Sequence, residues 1–138
     1  MALLPLRLPP GVDLKSELLR HVVERRWSAA MVLSGIGSLA QTRLRLAGQA
    51  SCLELSGPVE ILTLAGTLGA DGAHLHAAVA DADGRVVGGH VGAGCIIRTT
   101  AEVLLLEARG WQFSRQRDPA TGFDELVVRR HRHPADRS

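Results

Sequence analysis

Only one stretch of this chain has the periodicity of a helix, and this limits the fold more than any other feature. In residues 13–26 the apolar side chains recur at i, i+4, i+5 and i+8, and charged side chains fill the outer face. Asp13 opens the run and is a preferred helix N-cap residue. The rest of the chain consists of short apolar or alternating runs. This pattern predicts an α+β fold, with one principal N-terminal helix covering seven to nine short strands in a mainly antiparallel, mixed sheet.

Glycine, proline and polar residues divide the remainder into candidate strands. The candidates are residues 29–34, 42–46, 51–55, 59–68, 74–80, 85–91, 95–99, 101–107, 111–115 and 123–129. The glycines within residues 34–38 permit either a turn or a close backbone approach. Residues 1–129 are predicted to form a single domain. Residues 130–138 are charged, contain proline and are predicted to be a disordered tail.

The composition argues against a polyanion partner and for an aliphatic core. Sixteen basic and 14 acidic residues leave a formal net charge of only +2. Aromatic side chains, the usual stacking platforms for single-stranded nucleic acid, make up 3% of the chain. A core in this chain must therefore be built from Leu, Val, Ile and Ala.

The cysteines and the first residues indicate a compartment. Cys52 and Cys95 lie in apolar surroundings, without the spacing of a metal site or a disulfide framework, and are predicted to be small core residues in a reducing compartment. Residues 1–8 lack the basic segment and long apolar run of a signal peptide. No apolar run approaches the ~20 residues of a membrane span. We expect a cytoplasmic protein without a membrane partner.

A predicted hairpin brings three histidines together. Side chains two apart on a strand share a face, so His74 and His76 point the same way. A three-residue loop, 82–84, with Gly84 in the left-handed position, gives the register of a type I turn with a G1 bulge. This register places His76 directly opposite His90, and all three imidazoles on one face.

Three neutral imidazoles around one point suit zinc or another borderline divalent metal. Three protein ligands also leave a coordination position open, as in catalytic zinc sites. Gly88 and Gly89 remove side chains beside the cluster, which leaves room for a ligand, although they could equally serve a bulge. The alternative is that His74 and His76 are hydrogen-bonded surface or interface residues, with His90 unrelated to them.

The chain resembles the plants-and-prokaryotes conserved (PPC) domain family in four stretches, whose order and spacing cover about residues 7–128. These are the glycine segment 34–38, residues 57–67, which are similar to the Gly-Arg-Phe-Glu-Ile-Leu strand of the family, the hairpin 74–90, and residues 99–103. The resemblance implies a compact α/β fold assembled as a homotrimer. It also implies, in prokaryotic members, a divalent metal on the histidines that match His74, His76 and His90.

The resemblance also suggests DNA as a binding partner. In plant members the domain is joined to an AT-hook, an Arg-Gly-Arg-Pro segment that enters the minor groove, and prokaryotic members are labelled DNA-binding by analogy. No Arg-Gly-Arg-Pro occurs in this chain, and Pro58 and Val59 replace the Arg and Phe of the plant strand. DNA binding then rests on fold analogy alone.

Glu60, Glu102 and Arg98 are further candidates for the pocket. Each glutamate shares a strand face with leucines, and a carboxylate on a buried face needs a partner, for which Arg98 is suited. Either glutamate could support the metal ligands or act as a general base. The alternative is an ion pair with arginine at a strand end or subunit interface.

Four functions follow, and the residues alone leave open whether the protein is an enzyme. The first is a trimeric domain that binds a metal, or an unidentified small ligand, on the histidines. The second is a hydrolase in which zinc lowers the pKa of a bound water to about 7. The third is a transcription-associated DNA-binding protein, and the fourth is a trimeric scaffold whose histidines bind nothing.

Overall fold

The structure is a computed structural model that describes residues 2–131. Its elements in chain order are β1 (Ala2–Leu8), α1 (Leu14–Glu24), β2 (Ala30–Arg45), β3 (Cys52–Gly69), β4 (Gly72–Ala80), β5 (Val86–Val91), β6 (Ile96–Glu107), β7 (Trp111–Arg117) and β8 (Asp124–Arg130). The predicted helix and mostly antiparallel sheet are confirmed, although strands dominate these residues. Of the predicted disordered tail, residue 130 ends β8, whereas residues 132–138 lie outside the described residues.

Asp13 fixes the start of the helix and ties it to the sheet. Its carboxylate accepts hydrogen bonds from the backbone N–H of Ser16, at 2.8 Å, and from the backbone N–H of Gly94, at 2.7 Å. One face of α1 is fully buried against β3, β4 and β6, through Leu14, Leu18 and Val22. No helix in residues 2–131 combines the length and the apolarity needed to cross a membrane.

The main sheet closes partly on itself, and α1 packs against it. Its strand order is β1-β6-β2-β3-β4-β5, and every pairing is antiparallel. The far end of β2 also pairs with β5, with Leu44 opposite Val91 and Arg45 opposite His90. Strands β2 to β5 therefore form a ring, whose inner face lines the core.

The core is aliphatic, as the composition predicted. Its buried cluster contains Leu, Val, Ile and Ala together with Cys95, and Trp27 packs at its margin. Cys52 is half-buried, and both cysteines are free thiols. The predicted role of Cys95 as a small core residue is confirmed.

Residues 34–38 make a close backbone approach inside a long strand and do not form a turn. A Cβ atom added to Gly37 would lie 2.6 Å from the carbonyl oxygen of Thr100, and one added to Gly35 would lie 2.9 Å from Cβ of Leu64. These glycines let β6 and β3 pack tightly on β2. The predicted strands 29–34 and 42–46 are consequently one strand, β2.

Two more of the predicted strand breaks are wrong. Residues 51–55 and 59–68 belong to one strand, β3, because Gly57 takes a φ of 108° and the β2–β3 register shifts between Leu39 and Gln41. Residues 95–99 and 101–107 join in β6. Long strands with irregularities replace the shorter segments expected.

The sequence pattern did not predict β1. It pairs with β6 along its whole length, from Ala2 opposite Glu107 to Leu8 opposite Ala101. Pro5 is tolerated because β1 is an edge strand, where a missing N–H costs no ladder hydrogen bond.

Strands β7 and β8 form a separate hairpin that packs against the β3–β4 end of the main sheet. The Phe113 N–H donates to the Ser28 carbonyl at 2.9 Å, and the Arg115 N–H donates to the Asp71 carboxylate at 3.2 Å. Gly69 lies so close to Phe113 that a Cβ on it would be 2.8 Å from the Phe113 carbonyl oxygen. These contacts place the outer part of the hairpin beside β3 and β4.

Candidate metal centre

The hairpin formed by β4 and β5 has the register that its turn chemistry predicted. Gly84 has a φ of 78°, and the Asp81 carboxylate accepts hydrogen bonds from the N–H groups of Asp83 and Arg85, both at 2.9 Å. This turn sets His76 directly opposite His90. The local sequence therefore determines which residues face each other across the hairpin.

The three imidazoles converge on one point. Nε2 of His74 and Nε2 of His76 are 3.0 Å apart. The His90 ring centroid lies 4.9 Å from that of His74 and 5.7 Å from that of His76. One ring nitrogen from each histidine falls within 4.8 Å of the other two, a spacing at which all three could bind one ion.

The cluster lies on the outer face of the ring of strands. Leu75, between the two β4 histidines, is fully buried on the inner face, so its neighbours point outward. In β3, Thr67 is directly opposite His74 and Ala65 is opposite His76. The small side chain of Ala65 leaves space above the imidazoles on this side.

Burial keeps two of the histidines in the form that binds metals. It lowers the pKa of His90 to about 4, with a smaller contribution from the charge of His74. Burial also lowers the pKa of His74, and the Arg115 guanidinium lowers it further. Both imidazoles are consequently neutral at neutral pH, and neutral imidazole is the metal ligand.

The donor set fits a divalent metal. Two nitrogens on a tetrahedral zinc, at Zn–N distances of roughly 2.0–2.1 Å, lie about 3.3 Å apart, close to the 3.0 Å between Nε2 of His74 and Nε2 of His76. A hydrogen bond between those two atoms would also explain their distance. It would not account for His90, which has a ring nitrogen within 4.8 Å of the same two rings and an Nδ1 without a hydrogen-bond partner among the described residues.

The two glycines near the cluster serve the closure of the sheet. A Cβ on Gly89 would lie 2.7 Å from the Arg45 carbonyl oxygen, and one on Gly88 would lie 3.1 Å from the Ala77 carbonyl oxygen. Gly89 thereby lets β5 approach β2, and this approach holds His90 in position opposite Arg45. Both glycines therefore permit close strand packing, and their role in leaving room for a ligand stays a prediction.

Glu60, Glu102 and Arg98 lie away from the histidines. Glu60 is opposite Ala80 at the far end of β4, and it lines a pocket with Glu102. All three side chains are exposed, so the glutamates need no buried partner, and no ion pair joins them to Arg98 within residues 2–131. Among the candidate side chains of the described residues, His74, His76 and His90 form one cluster, and Glu60 and Glu102 share a separate pocket.

Sequence reasoning missed Thr67, Arg115 and Glu125, which share a pocket with His74 and His76. Nothing in the pattern of β7 or β8 separates Arg115 or Glu125 from other charged strand residues. They reach the site only because the second hairpin packs against the first.

The fold and site define a small, closed antiparallel β-domain with a three-histidine cluster on its outer face. The model of the Plants and Prokaryotes Conserved (PCC) domain matches residues 1–109. The chain belongs to this family, which confirms the resemblance found in the sequence.

Two curated relatives share most of this chain. It is 54% identical over 124 residues to a bifunctional protein GlmU from Synechococcus sp. strain JA-3-3Ab, and 52% identical over the same length to the GlmU of strain JA-2-3B'a(2-13). The match covers 90% of this chain, which spans about a fifth (20%) of the length of either relative.

Solved structures share the whole fold. A protein from Salmonella cholerae-suis is 40% identical with a TM-score of 0.90, and 94% of each chain is covered. A metal-containing protein from Archaeoglobus fulgidus is 27% identical with a TM-score of 0.82, and 92% of this chain and 94% of that one are covered. A protein from Bacteroides thetaiotaomicron, provisionally described as a DNA-binding protein, is 19% identical with a TM-score of 0.78, and 91% of each chain is covered. At this low identity the similarity establishes a shared fold and no shared function.

Proposed function

We propose that this PCC-domain protein binds one divalent metal ion, with zinc as the best fit, on His74, His76 and His90. The observation that carries the proposal is the convergence of three imidazoles, each of which has a ring nitrogen within 4.8 Å of one on the other two. The metal-containing relative from Archaeoglobus fulgidus supports the same assignment. When bound, the metal supplies Lewis-acid chemistry at a position that three protein ligands leave open, which would also suit a hydrolase.

Metal analysis of protein purified without a histidine tag tests this proposal. We expect close to one zinc per chain, and loss of at least about 90% of it in His76→Ala, because two imidazoles cannot complete the site. The matched control is His131→Ala, which changes a histidine outside the cluster. Unchanged metal content in His76→Ala, or no binding of added zinc by the wild type, would contradict the proposal.

The domain assembles as a homotrimer through the outer face of β1, β6, β2 and β3. The side chains of Ile36 and Leu62 are 51% and 46% exposed, and both line one pocket. Ile36 also lines a second pocket, together with Pro5 and Leu104. Soluble monomers rarely expose large contiguous apolar patches. Association of copies of the chain would bury this face, and the family resemblance implies that the assembly is a homotrimer.

Sedimentation equilibrium tests the assembly. We expect a trimer for the wild type and a monomer for Ile36→Asp, since a further carboxylate loses its hydration at the interface and is repelled by Glu60 and Glu102, which line the same pocket. Val86→Asp is the control, because Val86 is 58% exposed on β5 and lies outside both pockets. A wild-type monomer, or a trimer that survives Ile36→Asp, would argue against this interface.

The expected compartment is the cytoplasm. Cys52 and Cys95 are both free, and a reducing compartment keeps thiols in this state. The buried Cys95 has a raised thiol pKa because of its burial, which keeps it protonated and unreactive. Neither cysteine takes part in the proposed site.

A further inference from the structure

A pocket opens directly beside the histidines. Its volume is about 310 Å³, at the lower end of the roughly 300–1,000 Å³ typical of small-molecule sites. One wall is the outer edge of β3 and β4, and the other is the β7–β8 hairpin. The lining residues that matter are His74, His76, Thr67, Arg115 and Glu125.

Arg115 is the positive charge in this pocket, and its position is fixed at two points. Its backbone N–H donates to the Asp71 carboxylate at 3.2 Å, and its Nη2 donates to Oγ1 of Thr67 at 3.0 Å. Thr67 is directly opposite His74, so the guanidinium is held one strand away from the metal ligands. A side chain anchored in this way loses little further freedom when it binds a ligand.

Most of the hydrogen-bonding capacity of Arg115 is unused. A guanidinium has five N–H donors, and Thr67 occupies one. Within residues 2–131, no carboxylate oxygen lies within 4.0 Å of its nitrogens, although Glu125 lines the same pocket. The remaining donors have the fork geometry that matches a carboxylate or phosphate group.

We propose that this pocket binds a small anion, a carboxylate or a phosphate-type group, held by Arg115 with its charged end toward the three histidines. The inference rests on the proposed metal site and adds the chemistry of its ligand. Arg115 and Glu125 lie beyond residue 109, where the family model ends, so the selecting group belongs to the β7–β8 hairpin of this chain.

A small anion suits this pocket better than duplex DNA does. Affinity for DNA is built from several lysine or arginine contacts to successive phosphates. Here one arginine lies in a concave pocket, and the carboxylate of Glu125 in the same pocket opposes its charge. A ligand that combines an anionic group with a hydrogen-bond donor would satisfy both side chains.

Spectroscopic titration of the cobalt-loaded, untagged chain tests the inference at fixed pH and salt. Methylphosphonate and propanoate are added separately, and binding is followed by the cobalt absorption and by calorimetry. We expect both anions to change the spectrum of the wild type, and Arg115→Gln to bind them at least about tenfold more weakly. Arg117→Gln, a change two residues along the same strand at an exposed arginine outside the pocket, should behave as wild type.

The outcomes separate this inference from the metal site on which it rests. No cobalt spectrum in the wild type means that the proposed function fails. A normal cobalt spectrum in every variant, with equal anion binding by wild type and Arg115→Gln, overturns the inference alone. Displacement of the anions by mixed-sequence duplex DNA, with an affinity that Arg115→Gln lowers, would overturn the inference in favour of DNA binding.

Arg115→Lys is the second variant. It keeps the positive charge but loses the paired N–H donors of the guanidinium, so its anion affinity should lie between those of the wild type and Arg115→Gln. It replaces Arg115→Gln if the glutamine variant does not fold.

Discussion

Gly66→Ala is expected to lower the free energy of unfolding by about 3 kcal/mol or more. Gly66 has a φ of 150°, and a Cβ on it would lie 2.0 Å from the His74 carbonyl oxygen and 2.8 Å from Cα of Leu75. Both of these atoms belong to the backbone of β4, so no side-chain rotation can relieve the clash. Since domains of this size have total stabilities of about 5–15 kcal/mol, the loss is large. Urea unfolding measures it as a lower midpoint at constant slope.

Gly72→Ala is the matched control for this clash. Gly72 lies in the same β3–β4 hairpin with a φ of 128°, but a Cβ on it would meet nothing within 4 Å. It should lose only the conformational strain, about 1–2 kcal/mol. Equal losses in the two variants would mean that strain alone matters and that β4 does not approach β3 this closely.

His90→Ala is expected to abolish metal binding while leaving the metal-free fold almost as stable as before. Even residues that only support a metal ligand cost 10–100-fold in affinity when changed, so removal of a ligand should cost more than about 100-fold. The imidazole that is removed has a buried Nδ1 without a partner. Its loss should therefore change the metal-free stability by no more than about 1 kcal/mol. Calorimetric zinc titration and urea unfolding of the metal-free protein give the two values.

His21→Ala is the histidine control for this pair of measurements. His21 lies on α1, where a ring nitrogen is 3.2 Å from the Arg25 guanidinium, and it is remote from the cluster. Its replacement should leave zinc affinity unchanged. If His90→Ala instead kept its zinc affinity and lost several kcal/mol of stability, His90 would be a structural residue and the metal site would need other ligands.

The histidine hairpin could be predicted because its determinants are local. The left-handed Gly84 and the Asp81 carboxylate fix the turn, and the two-residue period of a strand then carries that register to His76 and His90. The start of the helix could be predicted for the same reason, because the Asp13 carboxylate caps the helix through the N–H of Ser16, only three residues away. A short-range hydrogen bond needs no knowledge of the rest of the fold.

The surroundings of the histidines could not be predicted in the same way. Arg115 and Thr67 are 48 residues apart and meet only because two hairpins pack together. Glu60 and Glu102 looked like candidates because their strands carry leucines, yet the main sheet turns their side chains to solvent, in a pocket that the histidines do not line. Which face is buried depends on the whole sheet.

The sequence by itself determined the helix, the aliphatic core, the turn at residues 82–84 and the register that aligns the imidazoles. Turn chemistry and side-chain periodicity act over a few residues, so they can be read along the chain. The tertiary structure decided that β1 pairs with β6, that the glycines of β2 permit close packing, and that Arg115 stands beside His74. These features depend on contacts between distant strands, whose free energy comes from burying surfaces that no local pattern specifies.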